Sequence, residues 1–135
     1  MKAEYQMIRS FRELVVYQKA FEQAMRVFEA TKRFPKAEQY SLTDQLRRSS
    51  RSVCTNVGEA WRKRRYPAHF VSKLTDADAE VTETLIWLDF SLKCGYIEAG
   101  VHAEFAAEYE QIGKMLGAMI SAPEKFCYRD RKAVS

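Results

Sequence analysis

Apolar side chains recur every three or four positions through four long segments of this chain, and that spacing marks one face of an α-helix. Pro35, Pro67 and Gly95 separate the segments. The 135 residues include only five glycines and three prolines, which argues against a loop-rich or all-β fold. The pattern therefore predicts an all-α protein, an antiparallel up-and-down four-helix bundle.

Prolines, glycines and capping residues set the predicted boundaries. The helices are expected over residues 13–33, 41 to about 62–66, 67–94 and 101–121. The second opens at Ser41-Leu-Thr-Asp44, which is similar to a capping box with Asp in place of Glu. We expect an N-terminal arm over residues 1–12, the bundle over 13–121, and a charged tail over 122–135.

Each predicted helix has a stripe of residues expected to face the core. In the first helix the stripe comprises Leu14, Tyr17, Phe21, Ala24 and Phe28. In the second it comprises Leu42, Leu46, Val53, Val57 and Ala60. In the third it comprises Phe70, Leu74, Ala77, Val81, Leu85, Leu88 and Leu92. In the fourth it comprises Val101, Phe105, Tyr109, Ile112, Leu116 and Met119.

The second half of the third helix carries more apolar surface than one core can bury. Besides the leucine stripe, Ile86, Trp87 and Phe90 lie on another side of the same helix. Exposed patches of this kind usually mark interfaces, so we predict self-association through these three residues. The alternative is that the N-terminal arm or the tail folds back over this face.

Positive charge is concentrated in and just after the second helix. The chain has 22 Lys and Arg against 18 Asp and Glu, a net charge of +4 that permits nucleic-acid binding without requiring it. The candidate phosphate contacts are Arg47, Arg48, Arg51, Arg62, Lys63, Arg64 and Arg65. Trp61 and Tyr66 flank the last four as candidate stacking partners. The alternative is a solvated helix end with salt bridges.

The acidic stripe of the third helix offers partners for some of these arginines. Asp76, Glu80 and Glu83 could pair with the arginines of the second helix, either within one chain or between chains, and we expect Arg47 or Arg48 to be paired within the chain. Residues 62–65 are then the better candidates for an outside ligand. Ser49, Ser52, Asn56 and Glu59, beside the apolar stripe, predict a hydrogen-bond network that fixes the register of the helices.

No catalytic or metal motif is apparent, so we expect neither an enzyme nor a cofactor. His69 and His102 lack the Glu-x-x-His spacing of di-iron bundles. A remote alternative is a metal-dependent enzyme using Asp76, Glu80 and Glu83. The three cysteines are not spaced as zinc ligands, and without a signal-peptide core or membrane-spanning run we expect a cytoplasmic protein with no membrane partner.

Several segments together resemble a known family. They are Phe11-Arg-Glu-Leu-Val-Val-Tyr-Gln-Lys-Ala20, Phe34-Pro35, Tyr40-Ser-Leu-Thr-Asp-Gln-Leu-Arg-Arg-Ser49, Asn56-Val-Gly-Glu-Ala60 and Cys94-Gly-Tyr-Ile97. With them, the chain resembles the four-helix-bundle proteins encoded in intervening sequences of bacterial 23S rRNA genes, a family related to the accessory variability protein of diversity-generating retroelements. The resemblance implies a ring-like homopentamer around a central opening.

These observations lead to two functional expectations. The first is a non-enzymatic homopentamer that binds nucleic acid, RNA rather than DNA, with low specificity through the basic end of the second helix. The alternative is a structural or adaptor oligomer that docks another protein.

Overall fold

The computed structural model describes residues 8–128, and within that range the fold is all-α, with four helices and no strand. The helices are α1 (Val15–Thr31), α2 (Leu42–Arg62), α3 (Pro67–Lys93) and α4 (Ala99–Ser121). Single turns of 3-10 helix occupy Phe11–Glu13, Lys36–Glu38 and Pro123–Lys125. The predicted arm over residues 1–7 and tail over residues 129–135 lie outside the described residues. Every helix in the described range is too short or too polar to pass through a lipid bilayer.

The capping contacts near the beginnings of the first two helices differ from the predictions. The expected cap at Ser41 is wrong: its hydroxyl donates to Glu38 Oε1 at 2.6 Å, and that same oxygen accepts the Leu42 N–H. A capping box does form earlier, where Glu13 accepts the backbone N–H of Ser10 at 2.9 Å. It caps the 3-10 turn that precedes α1, so α1 begins two residues later than predicted.

The bundle is held by a core to which all four helices contribute. Each helix packs against the next in the chain, and α1 also packs against α4. The expected stripe of α2 is buried throughout, and that of α4 is buried except for Val101, which is 37% exposed. Gly95, at φ +80°, ends α3 as predicted because its backbone lies in the left-handed region.

Small polar side chains line the seam between α2 and α3. The hydroxyls of Thr84 and Ser49 are hydrogen-bonded at 2.9 Å, and Lys73 donates to Asn56 Oδ1 at 3.3 Å. Lys73 also forms an ion pair with Glu59 at 2.8 Å. The predicted hydrogen-bond network beside the core is therefore confirmed. Because the side chains of this network are small or extended, α2 and α3 lie close together.

The core face predicted for α1 is wrong for its three aromatic residues, whereas Leu14 and Ala24 are buried as expected. Its line of buried side chains runs through Val16, Ala20 and Val27, whereas Phe21 is 49% exposed. The aromatic side chains predicted for the core lie at the edge facing α2. There Tyr17 packs edge-on against the arm residue Phe11, with ring centroids 5.0 Å apart. Smaller side chains face the other helices and allow a closer approach.

The predicted core face of α3 is also corrected in its second half. Thr84, Leu88 and Ser91 are the buried residues, and Leu85 and Leu92 are only partly buried. Burial of the two hydroxyls is tolerated because each is bonded within the helix, Thr84 to the Glu80 carbonyl and Ser91 to the Trp87 carbonyl, both at 2.8 Å.

The described parts of the arm and tail leave the second half of α3 uncovered. Phe11 lies against α1 and α2, close to Gly58, and Phe126 stacks on Phe70 near the beginning of α3. Ile86 and Phe90 remain 45% and 53% exposed. Within residues 8–128, therefore, nothing folds back over the predicted association face.

Tyr109 provides a test of the core. Its hydroxyl is fully buried and has no hydrogen-bond partner among residues 8–128. Because an unpaired buried hydroxyl is unfavourable, Tyr109→Phe should raise the free energy of unfolding by about 1 kcal/mol in urea. Tyr66→Phe, which removes an exposed hydroxyl, should change it little. A marked loss of stability in Tyr109→Phe would contradict this description.

Cys54 gives a pH test of the same core. Burial raises the pKa of its thiol from 9.0 to about 11. Because the folded pKa is the higher one, this contribution to stability is complete below pH 9 and is lost as the pH rises through about 11. Wild type should lose up to about 2 kcal/mol more over this range than Cys54→Ala. Cys94→Ala, which changes an exposed thiol, should retain the wild-type pH dependence.

Candidate nucleic-acid interface

Basic side chains occupy the short connection between α2 and α3. Arg62 is the last residue of α2, and the Lys63 backbone N–H still bonds to carbonyls of its final turn. Pro67 begins α3, so the cluster is confined to a few residues. Arg62, Lys63 and Arg65 are exposed. Positive charge is stable here because the carbonyl end of a helix carries partial negative charge.

Arg64 differs from its neighbours because its guanidinium is held by the protein. The guanidinium lies 3.4 Å from the centre of the Trp61 ring, and its Nε donates to the Trp61 carbonyl at 2.7 Å. A second guanidinium nitrogen donates to the Tyr128 hydroxyl at 2.9 Å. Partial burial lowers the pKa of Arg64, and the nearby charge of Arg62 lowers it further. Arg64 therefore anchors the cluster and joins it to the beginning of the tail.

The anchoring of Arg64 changes which aromatic side chain is available for stacking. Trp61 is only 5% exposed and its ring carries the Arg64 guanidinium, so the expectation that it stacks on a base is wrong. Tyr66 is 58% exposed, with its ring 5.4 Å from that of His69. It is the flanking aromatic that an outside ligand can reach.

The three arginines earlier in α2 have different surroundings. Arg47 Nε donates to the Thr31 hydroxyl of α1 at 2.7 Å, and its guanidinium lies 4.8 Å from the Phe28 ring centre. Arg47 is thus paired internally as expected, although with a hydroxyl and a ring rather than with an acid. Arg48 and Arg51 are exposed on the outer side of α2.

The expected ion pairs between these arginines and the acids of α3 do not form. Among residues 8–128, no carboxylate lies within ion-pair distance of Arg47, Arg48 or Arg51. Asp76 instead lies 3.9 Å from Lys73. The rotation of α3 places Thr84 in the seam against Ser49 of α2, while Glu80 and Glu83 lie in the groove outside the seam.

An open polar groove of about 450 Å³ runs along the outside of the α2–α3 seam. Its walls carry both signs of charge and include Arg48, Arg51, Ser52, Thr55, Glu80 and Glu83. Partial burial raises the pKa of Glu80, and the neighbouring Glu83 raises it further, while Ser52 and Arg48 oppose the shift. Within the described residues, no cluster of three or more His, Cys, Asp or Glu side chains is placed to hold a metal ion.

Exposed apolar side chains form a patch on α3 beside this groove. Ile86 and Phe90 are 45% and 53% exposed, and half-buried Trp87 donates its indole N–H to Glu83 at 3.3 Å. A second exposed pair, Phe21 and Met25 on α1, was missed by the sequence reasoning because Phe21 was assigned to the core. Residues four positions apart lie on the same side of a helix, so the spacing of Phe21 and Met25 could have indicated this pair.

The family model described as 23S rRNA-intervening sequence protein matches residues 12–118. The chain belongs to this family. The resemblance drawn from residues 11–97 is thereby confirmed, and the match continues through most of α4.

One solved structure has the same fold over most of its length. It is the crystal structure of a protein of unknown function from the S23 ribosomal protein family of Bacteroides thetaiotaomicron. Its TM-score is 0.72 at 28% sequence identity, and the alignment covers 79% of this chain and 96% of that one. No curated protein matches the chain.

The anchoring role of Arg64 is testable by substitution. Arg64→Ala removes a cation–ring contact and hydrogen bonds to Trp61 and Tyr128, so it should lower the free energy of unfolding by about 1–2 kcal/mol. Arg65→Ala removes an exposed neighbour of equal charge and should change it by less than about 0.5 kcal/mol. Equal effects of the two substitutions in urea unfolding would contradict the assignment.

Proposed function

We propose that this chain is a non-enzymatic homopentameric bundle that binds RNA with low sequence specificity through the end of α2. The observation that carries the proposal is the group of exposed cations Arg62, Lys63 and Arg65, none of which has an ion-pair partner among residues 8–128. Anchored Arg64 holds the connection in which they lie. Cations without internal partners are available for phosphate groups.

The proposed assembly is an antiparallel up-and-down bundle repeated around a ring. Contacts across the α2–α3 seam support opposite helix directions, since Ser49 meets Thr84 whereas the later residue Asn56 meets the earlier residue Lys73. Self-association is supported by the exposure of Ile86 and Phe90. The number five comes from the family resemblance alone.

A ring would strengthen contacts that are individually weak. Five copies of Arg62, Lys63 and Arg65 would present about fifteen cations to a single nucleic-acid strand. Exposed Tyr66, beside each cluster, offers a surface on which a base can stack. RNA is favoured over DNA because the family is named for an intervening sequence of 23S rRNA.

The test compares the salt dependence of binding in two triple variants. One is Arg62→Ala/Lys63→Ala/Arg65→Ala, and its matched control removes the same formal charge from the exposed residues Arg33, Lys36 and Lys114. The probe is a labelled single-stranded RNA of mixed sequence. For wild type, log K should fall linearly with log[salt]. In the first variant the slope should become shallower by about 0.7 for each phosphate group that the protein no longer neutralises.

Two outcomes would contradict the proposal. One is an equal decrease in affinity in the two triple variants, which would mean that overall charge, not the cluster, determines binding. The other is failure of wild type to bind RNA at low salt. A single protein recovered in fixed stoichiometry with wild type after nuclease treatment would then favour the adaptor function.

A further inference from the structure

An exposed apolar patch on α1 has three cations at one end. Phe21, Met25 and Phe28 follow helical spacing, and the first two are 49% and 47% exposed. Three cations approach the half-buried Phe28 ring: Lys32 and Arg47 at 4.8 Å and Arg51 at 5.9 Å from its centre. We refer to these six residues as the basic patch.

The apolar patch on α3 has the opposite charge beside it. Ile86, Trp87 and Phe90 share a face with Glu83, which lies one turn before them, and Glu80 lies in the same outer groove. Neither glutamate has a Lys, Arg or His within ion-pair distance among residues 8–128. We refer to these five residues as the acidic patch.

We propose that the acidic patch of one copy binds the basic patch of the next copy; this rests on the self-association proposed above. The two patches match in chemistry, since each combines exposed apolar side chains with charges of opposite sign, although Lys32 also forms an ion pair with Glu29 at 3.2 Å. Contact between them removes both sets of apolar side chains from water and adds cations of the next copy to the Arg48 and Arg51 side chains that already line the groove of Glu80 and Glu83.

Charge also disfavours the simpler symmetric pairings. Two acidic patches placed together would oppose Glu80 and Glu83 of both copies, and two basic patches would oppose Arg47 and Arg51 of both copies. A contact between two different surfaces repeats from copy to copy and closes into a ring when the rotation permits. Arg47 and Arg51 then belong to the interface, which leaves the end of α2 as the RNA-contacting surface.

A mixing experiment tests the pairing with one variant in each patch. Met25→Asp damages the basic patch and Ile86→Asp damages the acidic patch, and both positions are exposed enough for the bundle to fold. Val101→Asp, at an exposed apolar position on α4 outside both patches, is the matched control. Each protein is examined by circular dichroism and by light scattering, alone and in equimolar mixture.

The proposal predicts a distinctive result for the mixture. Each patch variant alone should be a folded single chain, whereas the control keeps the wild-type mass. The two patch variants together should form a two-chain species, since one intact acidic patch and one intact basic patch remain. A second variant pair tests charge: Lys32→Glu should weaken assembly, and adding Glu83→Arg in the same chain should restore it, since Lys32 lies outside the groove that contains Glu83.

The outcomes separate this inference from the proposed function. A wild-type protein that is a single chain would overturn the self-association itself. An oligomeric wild type whose mass is unchanged by Met25→Asp would overturn only the pairing of patches. Single chains in the equimolar mixture would likewise overturn it, because an intact acidic patch and an intact basic patch would then be present together without binding.

Discussion

The contact between Ser49 and Thr84 determines how α2 and α3 are rotated about their axes, and the surface of the molecule depends on that rotation. A hydrogen bond of 2.9 Å between a Thr and a Ser hydroxyl fits only where two helices lie close together. With Thr84 in the seam, Ile86 and Phe90 are directed away from the core. The same seam leaves Arg48 and Arg51 on the outside of α2.

Sequence periodicity was sufficient for the class of fold and for most of α2, α3 and α4, because long apolar stripes and Pro or Gly boundaries are local signals. It did not predict which faces of α1 and of the second half of α3 are buried. When the core is assigned from apolar character alone, aromatic side chains and leucines are placed in it. The packing favours Ala20 and Thr84 instead, because small side chains allow close helix contacts and Thr84 bonds its hydroxyl within the helix.

The position of the basic cluster was predictable from the sequence, but the different roles of its four residues were not. Four consecutive basic residues identify the end of α2 from sequence alone. That Arg64 is an anchor depends on Tyr128, which is 64 residues away in the chain, so no local pattern could show it. The basic patch was missed for a similar reason, since Phe28 of α1 meets Arg47 and Arg51 only after α1 and α2 pack together.

Exposed cations thus lie at the end of α2, where a ligand can reach them. On α3, an apolar face remains exposed to water in a single chain. The central claim is that another copy covers this face. Sedimentation equilibrium at micromolar and lower concentration measures this directly. The account predicts a stable multiple of the single-chain mass of 15.7 kDa. A well-folded protein that sediments as one chain throughout this range would contradict it.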